Sequence, residues 1–304
     1  LAQIFAKYIC DDDSQYKMIP VGADWTNQEP LLGFPNALEP GKYVWPENGA
    51  LSLLLEAKAN PNRPYFLILD EMNLSHVERY FADFLSAMES GEPISIHPDT
   101  DEWKNENNTW KENLQPFVHL HDNLYIVGTV NVDETTYMFS PKVLDRAQVL
   151  EFRVTDDDMV SYLENQKSLD INGIVGLGSF MAESFLRYSR NSDNEPDSEY
   201  NRLIKNTLIS FFNELKKSEA EFGFRSASEI YRFLTIYKLL VPEADIYHMM
   251  DSAIMQKLLP RVHGSRRKLE PVLRTLGQLC VQEGQNIDDA FNNKEEFDFN
   301  DTTR

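Results

Sequence analysis

The first half of the chain alternates short apolar runs with amphipathic stretches, and the second half does not. Leu1, Ile4, Phe5, Tyr8 and Ile9 recur at helical spacing, so the opening residues predict a helix with those side chains on one face. Tyr16–Val21 predicts a short strand and Gly49–Ala57 a helix. Tyr65-Phe-Leu-Ile-Leu69 is continuously apolar between Pro64 and Asp70, the pattern of a strand buried on both faces of a parallel sheet. Val77, Tyr80, Phe81, Phe84, Leu85 and Met88 form one stripe, which predicts a helix over Val77–Ser90. Ile94–His97 fits half of a hairpin, and the polar stretch Pro98–Asn113 a solvated insertion. Leu124–Val130 predicts a second buried strand, Pro141–Asp145 a short helix and Val149–Val154 a last strand.

Beyond about residue 156 the strand pattern stops. Asn191–Ser198 reads as a polar loop, after which Leu208, Phe211, Phe212 and Leu215, then Ile230, Phe233, Leu234 and Tyr237, keep helical spacing. No internal repeat is present. The predicted architecture is an α/β domain over residues 1–155, a parallel sheet with helices on both faces, followed by an all-helical domain over 156–291. The acidic, polar residues 292–304 predict a disordered tail.

A length of 304 residues is enough for two cores. Asp plus Glu outnumber Lys plus Arg by 49 to 29, a net charge of -20 that repels a phosphate backbone at long range and argues against a DNA-gripping role. The longest local basic stretch is Arg261-Val-His-Gly-Ser-Arg-Arg-Lys268. No apolar run approaches the ~20 residues of a membrane span, and the start does not read as a signal peptide. Cys10 and Cys280 lie far apart with no disulfide framework, the usage of structural thiols in a reduced, cytoplasmic protein.

The chemistry concentrates where the apolar strands end. Phe66-Leu-Ile-Leu-Asp-Glu71 is a buried strand ending in two acids, and open parallel sheets bind ligands beyond their carboxyl ends. There Asp70 is placed to hold Mg²⁺, directly or through water, and Glu71 to orient and deprotonate an attacking water. The second strand delivers Asn131 to the same edge, where its amide can meet a γ-phosphate or that water. Arg146, in Lys142-Val-Leu-Asp-Arg-Ala147, follows a short helix and is placed to reach a neighbouring subunit's nucleotide. A guanidinium offered in this way accelerates phosphoryl transfer by about 10³–10⁵. Each residue also has a plainer reading: a solvated acidic turn, a turn asparagine and a surface ion pair.

Together these segments resemble a known family. Leu69-Asp-Glu-Met-Asn-Leu-Ser-His-Val-Glu-Arg-Tyr-Phe81 is similar to the Walker B segment of McrB-like AAA+ proteins, the motor subunits of modification-dependent restriction systems. Gly128-Thr-Val-Asn-Val-Asp-Glu-Thr-Thr136 resembles that family's sensor-1 signature, and Ser140-Pro-Lys-Val-Leu-Asp-Arg-Ala147 falls where the family carries its finger arginines. Val21-Gly-Ala-Asp-Trp-Thr and Leu32-Gly-Phe extend the likeness. It continues more loosely through Phe222-Gly-Phe-Arg-Ser and Leu259-Pro-Arg-Val-His-Gly-Ser-Arg.

The resemblance implies an AAA+ P-loop NTPase-type fold with a helical lid and ATP or GTP with Mg²⁺ at subunit interfaces. It also implies a homo-oligomeric ring, as a rule a hexamer, a McrC-like partner subunit, and DNA contacted through another domain or subunit. Carried over by position, Asp70 is the metal-side acid, Glu71 the base, Asn131 sensor 1 and Arg146 the finger supplied in trans. Arg225 is the first candidate for the lid's sensor-2 arginine and Arg266 the second. Two departures stand out. The family's Asn-Thr-x-Asp reads Asn131-Val-Asp-Glu here, and no G-x-x-x-x-G-K-[ST] occurs in the 304 residues. The opening helix resembles the one that follows that phosphate loop, so the loop is expected upstream of Leu1 and the fragment alone is expected to be inactive.

Other signals carry less. His119 and His121 alternate like metal ligands, but a period-2 strand face explains them as well. No G-x-S-x-G elbow or C-x-x-C pair is present. Two functions therefore compete: an NTPase module of a ring motor, and an AAA+ assembly module that responds to nucleotide without turnover.

Overall fold

The computed structural model describes residues 1–39, 42–97, 114–131, 137–165, 170–190 and 198–281. The insertion expected at Pro98–Asn113, residues 132–136 after Asn131, all but the end of the Asn191–Ser198 loop and the 292–304 tail lie outside the described residues. The chain forms two compact units. Leu1–Val143 with Val154–Asn191 makes the first, and Leu144–Arg153 with Ser192–Arg304 the second.

The first unit is built on a parallel sheet of β1 (Tyr16–Pro20), β2 (Tyr65–Asp70) and β3 (Leu124–Gly128), with β2 in the centre. Pro20 is paired with Asp70 and Leu69 with Gly128, so the strands finish at one edge. Strand geometry sends successive side chains to opposite faces. Tyr65, Leu67 and Leu69 enter the larger core with Leu51 and Leu54 of α2 (Ala50–Ala59) and Phe84 of α3 (Ala82–Ser90). Phe66 and Ile68 pack on the other side with Ala6 and Ile9. This two-sided burial is what the unbroken apolar run of β2 predicts. The mixed α/β parallel sheet expected from the sequence is the one observed.

Local differences have physical reasons. The opening helix, α1 (Ala2–Ile9), buries Ala6, Lys7 and Ile9; of the expected stripe Ile9 alone is buried, and Leu1 and Phe5 are 70% and 44% exposed. The small alanine lets the helix approach the sheet, and Phe5 instead meets Phe66 and Phe185 edge-on. The helix expected over Val77–Ser90 breaks at Phe81, whose backbone leaves helical geometry while its ring stacks on Phe84 at 4.5 Å. Ile94–Ser95 does pair antiparallel, with Phe117–Val118, but that strand stops at Val118 and leaves His119 and His121 in the segment after it.

The strand expected at Val149–Val154 does not form. Leu150, Phe152 and Val154 are 58%, 69% and 71% exposed. Within its own unit, Val149 donates its amide to the Gln256 carbonyl, and no ladder continues from there among the described residues. Period-2 patterning marks a strand only where a neighbour completes the ladder.

Residues 154–191 continue the first unit. Thr155 and Asp158 cap α4 (Asp156–Glu164) reciprocally. Phe185 of α5 (Ala182–Arg190) lies against Phe66 and Tyr125.

The second unit is helical: α6 (Ser198–Lys216), α7 (Phe224–Leu240), α8 (Ile246–Lys257) and α9 (Arg266–Val281). Its core gathers Leu208, Phe211, Leu215, Ile230 and Leu234, on the spacing read from the sequence, together with Met250 and Val272. Arg261, which opened the basic stretch, is not on the surface. It is 8% exposed, because it is needed inside.

Candidate functional site at the carboxyl edge of the sheet

Asp70 closes β2, and its carbonyl accepts the Val21 amide at 2.9 Å, so the strand is held in register to its last residue. The next residue turns sharply. Glu71 sits at φ 53°, ψ 49°, the left-handed region that side chains other than glycine rarely occupy. A left-handed glutamate survives only where its surroundings over-determine it.

Thr129 supplies that constraint. Its amide donates to the Leu69 carbonyl at 2.9 Å and its carbonyl accepts the Met72 amide at 2.8 Å, so its backbone bridges the corner from one side to the other. Its side chain grips the corner itself. The hydroxyl donates to Asp70 Oδ1 at 2.6 Å and accepts the Glu71 amide at 2.9 Å. Gly128 makes room for this approach, since a Cβ there would lie 2.5 Å from Met72 Sδ.

Asn131 completes the cluster by donating Nδ2 to Glu71 Oε1 at 2.9 Å. Its carbonyl accepts Nδ2 of the buried Asn73 at 2.9 Å, and the Asn73 carbonyl accepts the Tyr137 amide at 3.0 Å. Beneath the corner the Tyr80 hydroxyl donates to the Met72 carbonyl at 2.9 Å, and burial pushes that phenol above its ordinary range. Asp70 is half-buried, whereas Glu71 and Asn131 are exposed, so rigid support below carries polar groups open to solvent above.

The structure thus brings together Asp70, Glu71 and Asn131. Arg146, Arg225 and Arg266 belong to the second unit. Arg146 occupies the turn directly after the Pro141–Leu144 helix. The carbonyls on either side of it, Asp145 and Ala147, both accept from Lys257 Nζ, at 2.9 and 3.0 Å. Lys257 is fully buried and ion-paired with Glu229. Burial pulls its ammonium below the ordinary lysine range, and Glu229 opposes that pull. Arg261 pairs with the Asp145 carboxylate and donates to Ser226 Oγ at 2.7 Å. Arg225 bonds Glu229 at 3.1 Å one turn along α7, and Arg266 opens α9 with its Nε 3.8 Å from Glu270.

Sequence reasoning missed Thr129, Asn73 and Lys257. For Thr129 a signal existed: it precedes Asn131 by one strand period, which puts both on one face of the β3 extension. Asn73 and Lys257 act on backbone carbonyls distant in sequence, which no local pattern marks.

No curated protein matches the chain. A family profile described as Domain of unknown function (DUF8727) matches residues 157–303. Among solved structures, a crystal structure described as "a putative ATPase" from Cytophaga hutchinsonii is similar over 89% of this chain and 79% of that chain, with a TM-score of 0.51 and 14% sequence identity. At that identity the likeness is one of fold: an α/β unit on a parallel sheet with a helical C-terminal region.

Proposed function

We propose that the chain is the nucleoside-triphosphate-hydrolysing module of a McrB-like ring motor. The observation that carries this reading is the Asp70–Thr129–Glu71–Asn131 cluster, held by hydrogen bonds beyond the carboxyl end of a parallel sheet. That edge is where such sheets bind phosphates, and a strained, hydrogen-bonded acid is costly unless it has work to do. Glu71 projects its carboxylate into solvent, where it takes the proton of an attacking water. Asn131, already bonded to that carboxylate, fixes its rotamer and presents an amide to the same water. Arg146 is assigned to the nucleotide of an adjacent subunit, and Arg225, then Arg266, to the lid side of the site.

Mg²⁺ fits the donor set. Thr129 takes Asp70 Oδ1, and Oδ2 has no donor among the described residues, which leaves a hard oxygen for an ion that keeps several waters and uses one or two carboxylates. When bound, the ion neutralises phosphate charge. A hexameric ring, a McrC-like partner, DNA contacted through another domain or subunit, and a cytoplasmic setting all belong to this proposal.

The test is steady-state hydrolysis of ATP and of GTP, with Mg²⁺ and with EDTA, by this chain and by the full-length gene product. The expected result is Mg²⁺-dependent turnover of one nucleotide by the full-length gene product. Absence of turnover in a confirmed ring would replace this reading with the assembly module.

A further inference from the structure

Thr129 holds both acids of the candidate site with one hydroxyl. The Glu71 amide can only donate, so it takes a lone pair of the Thr129 oxygen, at 2.9 Å. The hydroxyl's single proton is therefore committed to Asp70 Oδ1, at 2.6 Å. A hydroxyl has one proton and two lone pairs, so this arrangement has one polarity only. It requires Asp70 to accept at Oδ1, which leaves Oδ2 without a donor among the described residues. It also pins the amide of the residue forced into the left-handed region. The two backbone bonds of Thr129, to Leu69 and Met72, fix where that hydroxyl stands. A chain with valine here would keep the backbone bridge and the shape and lose only the two side-chain bonds.

We propose that Thr129 is a positioning residue for hydrolysis: its hydroxyl sets the direction of the Asp70 carboxylate and the backbone angle from which Glu71 projects, without touching substrate. This rests on the hydrolytic reading above. Misplacing a reacting group by about 1 Å costs on the order of 10²-fold in rate, so loss of the hydroxyl should fall mainly on kcat.

Two variants separate this role from simple support of the fold. Thr129→Val removes the hydroxyl at constant shape, and Thr129→Ser retains it. Two measurements apply: amide hydrogen exchange at Glu71 on the chain, and kcat and KM for the preferred nucleotide on the active polypeptide. The expected result for Thr129→Val is faster exchange at Glu71 with unchanged protection at Leu67 and Ile68, and kcat reduced by at least 10-fold at unchanged KM. Thr129→Ser should restore both. Glu71 exchange in Thr129→Val equal to the parent's would overturn the proposal, as would parental kcat in that variant or a loss carried by KM alone. The two ideas fail differently. A parent that turns over no nucleotide removes the hydrolytic reading, whereas a parent-like Thr129→Val in an active protein removes only the threonine's role.

Discussion

Replacing Glu71 by glycine and by alanine tests whether the candidate base is held under strain. Both variants lose the carboxylate and its bond from Asn131, so those losses cancel in the comparison. What differs is the backbone at φ 53°. An alanine there carries the steric cost of the left-handed region, about 1–2 kcal/mol, from which glycine is exempt. Against this, glycine loses more chain entropy on folding, roughly 0.5–1 kcal/mol. The difference leaves Glu71→Gly more stable than Glu71→Ala by about 1 kcal/mol, the reverse of the order at an ordinary strand or helix position. Trp25 and Trp45 report on this without interference, because the four tryptophans of the chain, at 25, 45, 103 and 110, all fall within Leu1–Val143. Tryptophan fluorescence during urea or thermal unfolding therefore follows the first unit, where 1 kcal/mol corresponds to a shift of about 3 °C. An alanine variant equal to or more stable than the glycine variant would refute the left-handed corner, and with it the argument that the corner is kept for function.

Further predictions concern the supports. Asn123 is fully buried and donates Nδ2 towards the carbonyls of Ala57, Asn60 and Arg63 at 2.9, 3.0 and 2.9 Å, so Asn123→Asp, nearly isosteric, should destabilise the first unit by at least ~3 kcal/mol in the same unfolding assay. Lys257→Met keeps the packing but strips donors from the Asp145 and Ala147 carbonyls. A loss of roughly 2–4 kcal/mol is expected for the second unit by circular dichroism, and a change under 0.5 kcal/mol would contradict the clasp. Burial pushes the Cys10 thiol up to about 12, whereas Cys280 is exposed. A thiol reagent at pH 8 should therefore label Cys280 in the native chain and Cys10 only after unfolding.

The parts of the fold legible in the sequence are those whose physics is local. The unbroken apolar run Tyr65–Leu69 could satisfy only a strand covered on both faces, and the stripes through Leu208–Leu215 and Ile230–Tyr237 only helices. Asp70, Glu71 and Asn131 were legible for the same reason, as polar residues placed where apolar strands end, although Leu124–Gly128 is half-buried rather than the buried strand its composition predicts. What was hidden depended on partners distant in sequence. Leu150, Phe152 and Val154 alternate like a strand, yet pairing decides whether alternation becomes one. The buried face of α1 is set by how closely Ala6 lets the helix approach Phe66 and Ile68. The left-handed turn at Glu71 has no composition cue, since neither glycine nor asparagine stands there; it arises from Thr129, far along the chain.

The central claim, that Glu71 is the base of a nucleotide-hydrolysing site, is tested most directly by Glu71→Gln. In the active polypeptide, equilibrium binding of the preferred nucleotide and its steady-state turnover should be measured side by side. Binding within a few-fold of the parent and turnover reduced by about 10²-fold or more are expected, because the amide fills the same space and accepts the Asn131 bond but takes no proton. Turnover at the parental rate would contradict it.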